Sequence, residues 1–222
     1  MDGNGRWANK QNKPRFLGHL KGVSAVRKSV KFCIEKKVTH LTLYAFSTEN
    51  WKRPDEEIKY LMGLIENFIE KEKLNLHKQN IKFRWIGRRS KIDPGLRTRI
   101  EQVEELTAGN SGLSFNLAFD YGSRFEITNA LKEIATGVRQ GKIDPADINE
   151  NLINDHLYTT GLPDVDLIIR TSGEKRISNF LLWQSAYAEY FFTDVCWPDF
   201  NKKVLDEALN DYGKRKRRMG GL

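Results

Sequence analysis

Two kinds of hydrophobic spacing alternate along this chain. Apolar residues three or four positions apart, as at Val23, Val26 and Val30, are typical of a helix with one buried face, whereas short runs such as LTLYAF and LSFNLAF contain the β-branched and aromatic residues that strands favour. Strands that alternate with helices usually form a parallel sheet covered by those helices. The pattern therefore predicts an α/β fold, a mainly parallel central sheet surrounded by helices, in a single domain over residues 1–222.

The same spacing locates the individual elements. Pro54 begins one helix, because Asp55, Glu56 and Glu57 after it place negative charge at the positive end of the helix dipole, and apolar spacing continues that helix through residues 58–69. We predict further helices at 19–37, 96–108, 124–140, 146–158, 177–188 and 202–216, and strands at 40–46, 81–86, 113–119, 165–169 and 190–193.

Polar clusters follow four of the predicted strands. They are STENWKR at 47–53, GRR at 87–89, DYGSR at 120–124 and RTSGE at 170–174. Ligands of open α/β sheets bind outside the carboxyl ends of the strands, so these clusters together predict one shared site that is rich in arginine. Taken singly, each cluster is equally compatible with an ordinary polar loop.

The opening segment MDGNGR combines an acid, an amide, an arginine and two glycines in the same way as those clusters. No strand precedes it, so we expect the first strand of the fold to lie upstream of Met1 and the natural start to lie there too. Arginine side chains bind phosphate oxygens in pairs, and a carboxylate such as Asp2 holds Mg²⁺ against phosphates. The clusters therefore predict a diphosphate site. A nucleotide cofactor is disfavoured, because the chain has neither a GxxxxGK[ST] loop nor a GxGxxG motif after a strand.

The formal charge of +8 and the pI of about 9.4 predict an anionic partner, such as nucleic acid, a phosphorylated metabolite or an acidic lipid surface. The basic run KRKRR at 214–218 lacks a groove-reading motif, so nucleic acid is disfavoured against a solvated helix end or contact with lipid headgroups. Cys33 and Cys196 show no disulfide or zinc-site spacing, and no apolar run reaches the ~18 residues that cross a bilayer. We expect a cytoplasmic protein with peripheral contact at the inner face of the membrane.

Several motifs together resemble one family. They are MDGNGRWA, RFLGH at 15–19, LTLYAFSTENWKRP, DYGSR, DLIIRTSGEKRISNFLLWQSAYAEYFF and TDVCWPDF. In this order and spacing they resemble the cis-prenyltransferases, which include the bacterial undecaprenyl diphosphate synthases, over essentially the whole chain. The resemblance implies a homodimer that uses Mg²⁺ to condense isopentenyl diphosphate onto an allylic diphosphate, typically farnesyl diphosphate, with cis double bonds. The DDxxD metal motif of the helical trans-prenyl synthases is absent.

The resemblance assigns the opening segment to the allylic diphosphate. It implies that Asp2 is a catalytic carboxylate that holds Mg²⁺, and that Asn4 lies near the reacting carbons. The residues implied to bind the substrate there are Gly3, Gly5, Arg6, Trp7, Arg15 and His19. Helix capping is the structural alternative for Asp2 and Asn4.

The resemblance assigns the later motifs to isopentenyl diphosphate and to a mobile cover. Arg170, Arg176 and Ser178 match isopentenyl diphosphate positions, and Glu189 matches a second metal-binding carboxylate. On the cover, Asn50 is implied in catalysis, and the implied substrate contacts are Ser47, Glu49, Trp51 and Arg53. The structural alternatives are a solvated arginine pair, a carboxylate at the edge of the core and simple packing of the tryptophan.

Product length and assembly are implied as well. Ala45, Leu113 and Ile81 are candidate walls of a tunnel for a long polyprenyl chain, around the undecaprenyl class, that would serve as a cell-wall carrier lipid. The segment RMG at 218–220 resembles the element by which one subunit completes its neighbour's isopentenyl diphosphate site. A shorter-chain enzyme and a non-catalytic accessory subunit are alternatives, and the intact opening motif disfavours the latter. The DYGSR turn departs from many relatives at Asp120, where they carry Asn.

Overall fold

A computed structural model describes residues 1–216 of the chain. Its helices and strands, in chain order, are α1 Asn4–Lys10, α2 Arg15–Glu35, β1 His40–Ser47, α3 Asp55–Lys78, β2 Lys82–Ile86, α4 Pro94–Thr107, β3 Ser114–Tyr121, α5 Ser123–Arg139, α6 Glu150–His156, β4 Leu167–Arg170, β5 Glu189–Phe192 and α7 Lys202–Lys214. Short 3₁₀ turns lie at Thr48–Lys52, Pro145–Asp147 and Trp197–Asp199.

The paired strands of the described residues are all parallel. β3 lies between β1 and β2, with Leu117 opposite both Leu43 and Trp85, and β4 pairs with β5. Helices connect the strands of the three-stranded group, as parallel pairing requires, whereas an irregular segment connects β4 to β5. The predicted α/β fold with a mainly parallel, helix-covered sheet is confirmed, and its paired strands are grouped as three and two.

The central strand β3 is buried almost throughout, because both of its faces are covered. Phe115, Leu117 and Phe119 point into the larger core, which they share with apolar residues of α2, α3 and α4. Ala118 and Tyr121 belong to a smaller core on the other side. Since successive residues of a strand point to opposite faces, one buried strand supports both cores and fixes the edge at which β1, β2 and β3 end.

Helix α1 holds the opening residues against α2 through a close backbone contact. A Cβ atom at Gly18 would lie 2.0 Å from the carbonyl oxygen of Asn4, so only glycine permits this approach. Trp7 anchors the same helix on another side, because its indole N–H donates to Asp199 over 2.8 Å. The two contacts fix the orientation of the residues that precede and begin α1.

The structure differs from the prediction in two places. The predicted helix at 177–188 is wrong, because this segment forms successive turns in which Ser178, Asn179 and Leu181 have φ angles of 53°, 62° and 48°. A right-handed helix requires negative φ throughout, so residues in the left-handed region interrupt it. Helix α1 was not predicted. The other predicted elements are present with ends shifted by a few residues, and α3 continues to Lys78.

Among residues 1–216, no helix combines the length and the apolar character that crossing a membrane requires. The two cysteines are free and buried. Cys33 lies in the larger core, and burial raises the pKa of its thiol to about 12.

We expect Phe115→Ala to lower the free energy of unfolding by about 3–5 kcal/mol, because it opens a cavity in the packed centre of the sheet. Phe115 is 0% exposed and its ring lies edge-on to those of Phe83 and Phe68. The control is Leu131→Ala on α5, where Leu131 is 52% exposed. We expect this substitution to change the free energy of unfolding by less than about 0.5 kcal/mol. Urea titrations followed by circular dichroism measure both, and equal losses would contradict the placement of β3 at the centre.

Candidate active site

Asp2 lies where the opening segment meets the carboxyl end of β4. Its backbone N–H donates to the hydroxyl of Thr171 over 2.9 Å, and that hydroxyl donates back to the carbonyl of Asp2 over 2.9 Å. The backbone N–H of Trp197 donates to the same carbonyl over 2.9 Å. Three bonds from two distant segments therefore fix the backbone of Asp2 and leave its carboxylate to interact with other groups.

The Asp2 carboxylate is surrounded by donors. It accepts from the backbone N–H of Gly3 over 2.7 Å and from Arg170 over 3.1 Å, and it lies 3.3 Å from the Arg6 guanidinium. Burial raises the pKa of Asp2, but the hydrogen bonds from Arg170 and Gly3 and the charge of Arg6 outweigh it, so the pKa lies below its ordinary value. Asp2 is therefore an ionised carboxylate between two arginines.

Gly3 allows the chain to turn from Asp2 into α1. Its φ angle is 94°, and an added Cβ would lie 2.8 Å from the Cβ of Ser172. Gly5 lies two residues further on, where an added Cβ would lie 3.2 Å from the Arg15 guanidinium carbon. Gly3 therefore allows the close approach of Ser172, and Gly5 leaves room for the Arg15 guanidinium beside the start of α1.

A second carboxylate joins the arginines of the two halves of the site. Glu174 lies 3.0 Å from Arg6 and also pairs with Arg176. Arg6 in addition donates to the carbonyl of Ser172 over 2.8 Å. The side chains of Arg6 and Arg176 are 45% and 60% exposed, so these ion pairs are accessible to a stronger anion.

Arg170 ends β4 and orders the turns that follow. It donates to the hydroxyl of Ser178 over 2.8 Å and to the carbonyl of Arg176. Ser172 and Ser178 both have positive φ, and non-glycine residues in that region are costly and are found where the surrounding structure holds them. The Arg170 contacts supply that support, so Arg176 and Ser178 stay beside Asp2.

A third carboxylate, Glu57, lies close to three further predicted site residues. It lies 3.0 Å from Arg53, 3.5 Å from His19 and 3.6 Å from Arg15. Burial lowers the pKa of His19 below its ordinary 6.5, and the charges of Arg53 and Arg15 lower it further, against the opposing effect of Glu57. His19 is therefore a neutral imidazole at neutral pH, next to two permanent cations.

The 3₁₀ turn after β1 carries the predicted cover residues and is held on three sides. Asn50 closes the turn on itself, since its side-chain oxygen accepts from the backbone N–H of Ser47 over 3.1 Å. Glu49 accepts from Asn179 over 2.8 Å, beside Ser178, and Trp51 donates its indole N–H to the carboxylate of Asp120 over 2.7 Å. The turn therefore bridges β3 and the segment after β4.

An apolar cavity continues from the charged cluster between α2 and α3. Its lining residues are Met1, Asn4, His19, Gly22, Val23, Val26, Ala45, Leu61, Leu64, Ile65, Phe68, Leu117 and Trp197. Two buried polar atoms of its lining residues, Asn4 Oδ1 and His19 Nε2, have no hydrogen-bond partner among the described residues, although the Glu57 carboxylate lies 3.5 Å from His19 Nε2. Of the three predicted tunnel walls, Ala45 lines this cavity, whereas Leu113 and Ile81 are buried in the larger core and do not line it.

Glu189 does not join Asp2 within the chain. It begins β5 opposite Leu167, whereas Arg170, which contacts Asp2, lies opposite Phe192 at the other end of the strand pair. Three residues of a strand span about 10 Å, and the Glu189 carboxylate instead pairs with Arg215 over 2.5 Å. Residues 1–216 contain no group of three or more acidic, histidine or cysteine side chains that could enclose a metal ion. The predicted metal pair of Asp2 and Glu189 is therefore not formed by these residues.

The structure brings most of the predicted site residues together. Two groups of arginines form the site, one paired with Asp2 and Glu174 and the other with Glu57. The predicted residues that lie around them are Asp2, Gly3, Asn4, Gly5, Arg6, Arg15, His19, Arg53, Arg170, Arg176 and Ser178. Trp7 instead anchors α1, and residues 218–220 lie outside the described part of the chain.

Sequence reasoning missed the carboxylates Glu57 and Glu174. Glu57 was assigned to the charge of a helix start, and Glu174 was only one member of a polar cluster. An excess of arginines in neighbouring clusters was the available signal, because converging cations require nearby anions.

Comparisons with known proteins agree with this geometry. Residues 1–220 match the Prenyltransf family, described as putative undecaprenyl diphosphate synthase. An isoprenyl transferase of Agrobacterium fabrum is 47% identical over 222 residues, which are 100% of this chain and 90% of the relative. The ditrans,polycis-undecaprenyl-diphosphate synthase ((2E,6E)-farnesyl-diphosphate specific) of Escherichia coli K12 is 48% identical over 221 residues, 100% of this chain and 87% of the relative.

Two solved structures share the fold over most of their length. Lavandulyl diphosphate synthase from Lavandula x intermedia, in complex with dimethylallyl diphosphate, superposes with a TM-score of 0.96 at 35% identity and covers 99% of this chain and 95% of that one. A probable undecaprenyl diphosphate synthase from Campylobacter jejuni has a TM-score of 0.80 at 36% identity, over 90% of this chain and 92% of that one. With the arginine-rich site and the adjoining apolar cavity, these matches establish that the chain belongs to the undecaprenyl diphosphate synthase family of prenyltransferases.

Proposed function

We propose that this chain transfers an allylic group, such as that of farnesyl diphosphate, to isopentenyl diphosphate in a Mg²⁺-dependent reaction that forms cis double bonds and repeats to give a long polyprenyl diphosphate. One observation carries the proposal: the cluster of Asp2, Arg6 and Arg170 lies next to an apolar cavity, because the chain neighbours Met1 and Asn4 line that cavity together with His19. A substrate with a diphosphate head and a hydrocarbon tail requires this combination.

The three carboxylates of the site hold its arginines in place without substrate. Asp2, Glu174 and Glu57 pair with cations whose side chains are in part exposed. A diphosphate carries more negative charge than one carboxylate and offers more oxygens to an arginine fork, so it competes well for these cations. Arg6 and the N–H groups at the start of α1 are the proposed contacts of the allylic diphosphate.

The chemistry explains the need for these cations. Breaking the allylic carbon–oxygen bond leaves a delocalised carbocation and a diphosphate anion, and fixed cations lower the barrier by stabilising the leaving charge. Arg170, Arg176 and Ser178 are the proposed site of isopentenyl diphosphate, where they hold its double bond beside the allylic carbon. Glu174 contacts both Arg6 and Arg176, and so it fixes the position of the proposed allylic diphosphate site relative to the proposed isopentenyl diphosphate site.

Asp2 fits a Mg²⁺ ion that is shared with a diphosphate. Mg²⁺ keeps several waters and binds one or two carboxylates together with substrate phosphates, and it seldom occupies a cage made of protein alone. Asp2 offers an ionised carboxylate whose side chain is 35% exposed, among cations that attract phosphate. Bound there, the ion would neutralise charge on the departing diphosphate.

Product length, assembly and location are part of the proposal. Relatives named farnesyl-diphosphate specific undecaprenyl diphosphate synthases favour a long product that serves as a carrier lipid. The structural similarity to lavandulyl diphosphate synthase keeps a shorter product as the alternative.

We propose a homodimer in the cytoplasm that contacts the inner face of the membrane, without a nucleic-acid partner. Size-exclusion chromatography with light scattering and vesicle co-sedimentation test these points. A non-catalytic accessory subunit would show no turnover by itself.

We expect Asp2→Ala to lower kcat by about 100-fold or more while the fold persists, because it removes the carboxylate that organises charge at the diphosphate. Release of diphosphate from farnesyl and isopentenyl diphosphates with Mg²⁺ measures the loss. Asp147→Ala, an exposed change in a distant 3₁₀ turn, is the control. Near-normal turnover by a folded Asp2→Ala protein would exclude Asp2 from the reaction.

We expect Ala45→Leu to shorten the product, because the larger side chain fills the cavity through which the tail passes. Each additional buried methylene favours threading by about 0.8 kcal/mol, so growth continues until the tail reaches a wall. Phe68→Ala removes the lining residue of α3 that is furthest from the site and should lengthen the product. Mass spectrometry measures the length distributions, with Ala135→Leu on the exposed face of α5 as control. Identical distributions would show that the tail takes another path.

We expect part of the stability of the fold to depend on the protonation of His19. Its folded-state pKa is lowered, so the unfolded chain takes up the proton first as the pH falls, and stability that is complete above about pH 6.5 is lost as the pH falls through the folded-state pKa. His19→Asn should therefore show a smaller fall in Tm than the wild type between pH 7.5 and 5.0, whereas a variant at the exposed His40 should match the wild type. Parallel curves for all three proteins would contradict a neutral His19.

A further inference from the structure

The carboxylate of Asp120 is buried and has three donors. Asp120 is 0% exposed at the carboxyl end of β3. Its Oδ1 accepts from the Trp51 indole over 2.7 Å and from Arg88 over 3.2 Å, and its Oδ2 accepts from Arg88 over 2.8 Å. The backbone N–H of Arg88 donates to the carbonyl of Asp120 over 3.0 Å, so the two residues are joined through both backbone and side chain.

Stability alone is a poor reason for this arrangement. A buried ion pair costs much of its attraction in lost hydration, and apolar replacements are often as stable. The Asp120 backbone also adopts a φ angle of 50°, which is uncommon outside glycine. The ion pair instead fixes the orientation of the Asp120 carboxylate. The two bonds from Arg88 set the plane of the carboxylate, and in that plane Oδ1 points toward the indole N–H of Trp51.

Trp51 is in turn held on its other sides. Its ring meets Phe46 edge-on at 5.2 Å between centroids, and the Lys91 ammonium lies 4.4 Å from its ring centre. The bond to Asp120 is the only hydrogen bond of this indole among residues 1–216. The position of the ring along β3 therefore depends on Asp120.

The turn that carries Trp51 touches both halves of the active site. Arg53 leaves it toward Glu57, next to His19, on the side proposed for the allylic diphosphate. Glu49 leaves it toward Asn179, which follows the proposed isopentenyl diphosphate residue Ser178. A displacement of Trp51 would therefore move contacts on both sides together.

We propose that Asp120 is a positioning residue for the prenyl transfer, which acts through Trp51 to hold the 3₁₀ turn against both diphosphate positions. This inference rests on the proposed function. Arg88 keeps the carboxylate oriented, and Trp51 transmits its position to the turn. Neither Asp120 nor Arg88 needs to touch a substrate for this role.

The test compares two neutral replacements of similar size. Asparagine at position 120 still accepts the Trp51 hydrogen bond, whereas leucine does not. We expect Asp120→Leu to lower kcat/KM for isopentenyl diphosphate by about 10–100-fold and Asp120→Asn by less than about fivefold, because misplacing a substrate-ordering turn lowers the rate without removing a reacting group. In a Trp51→Phe background, which lacks the indole donor, the two replacements should agree within about twofold.

Glu126→Leu is the matched control for lost stability. Glu126 is 1% exposed and accepts from Tyr121 over 2.6 Å, from the backbone N–H of Tyr158 over 2.8 Å and from Gln184 over 3.2 Å, none of which belongs to the 3₁₀ turn. We expect its Tm to fall as for Asp120→Leu while kcat/KM changes by less than about twofold below both melting temperatures. Equal activity of the Asn and Leu variants, or equal losses with and without Trp51, would overturn the positioning role.

A second measurement separates this role from the proposed function. The indole N–H resonance of Trp51, assigned by its absence in Trp51→Phe, reports the hydrogen bond without turnover. It should move upfield in Asp120→Leu and little in Asp120→Asn. An unchanged resonance in Asp120→Leu refutes the inference even if the wild type is active. An inactive wild type with the expected shifts refutes the proposed function and, with it, the catalytic purpose of the contact.

Discussion

The contact between Asp2 and Arg170 joins parts of the chain that are 168 residues apart. With the hydrogen bonds of Thr171 and Trp197 to the Asp2 backbone, it fastens the opening segment to the β4–β5 pair, while α1 packs against α2 on the other side. The three-stranded and two-stranded groups are thus connected through the residues that form the site. The same segment therefore contributes backbone contacts to the packing between the two groups and a carboxylate to the site.

Charge balance organises the site around that contact. Each of Asp2, Glu57 and Glu174 contacts two or more cations, and most of these side chains are partly exposed. Exposed ion pairs contribute little to stability, so their replacement by a diphosphate costs little. The same carboxylates keep the arginines in defined directions before the substrate arrives, which reduces the ordering required on binding.

The strands and most helices were predictable from the sequence because their periods are local properties. The strand ends were predictable too, since parallel strands place their carboxyl ends at one edge. The polar clusters at 47–53 and 170–174 contribute residues to the candidate site, whereas those at 87–89 and 120–124 contribute the Arg88–Asp120 pair that contacts Trp51. Residues 177–188 were not predictable, because the turns with positive φ at Ser178, Asn179 and Leu181 are held by contacts with Arg170 and with Ser123 at the start of α5, which helical spacing does not reveal.

Pairing across long sequence distances was the other limit. Glu57 matched the pattern of a helix start, and its contacts with Arg15 and His19 depend on how α2 packs against α3. Glu189 shows the same limit. Its motif matched a metal-binding position, but the motif did not reveal that its partner within the described chain is Arg215. Local patterns identify the types of residue at a site, whereas tertiary packing decides which of them meet.

The bond from the backbone N–H of Trp197 to the carbonyl of Asp2 has a consequence for synthesis. The ribosome makes Asp2 195 residues before it makes Trp197. At about 5–20 residues per second, the delay is roughly 10–40 s. During that interval the nascent protein has a carboxylate without its arginine and an apolar cavity without the Trp197 wall. The growing chain is thus without its candidate diphosphate site until translation has passed Trp197, and a product released before that point would lack the site altogether.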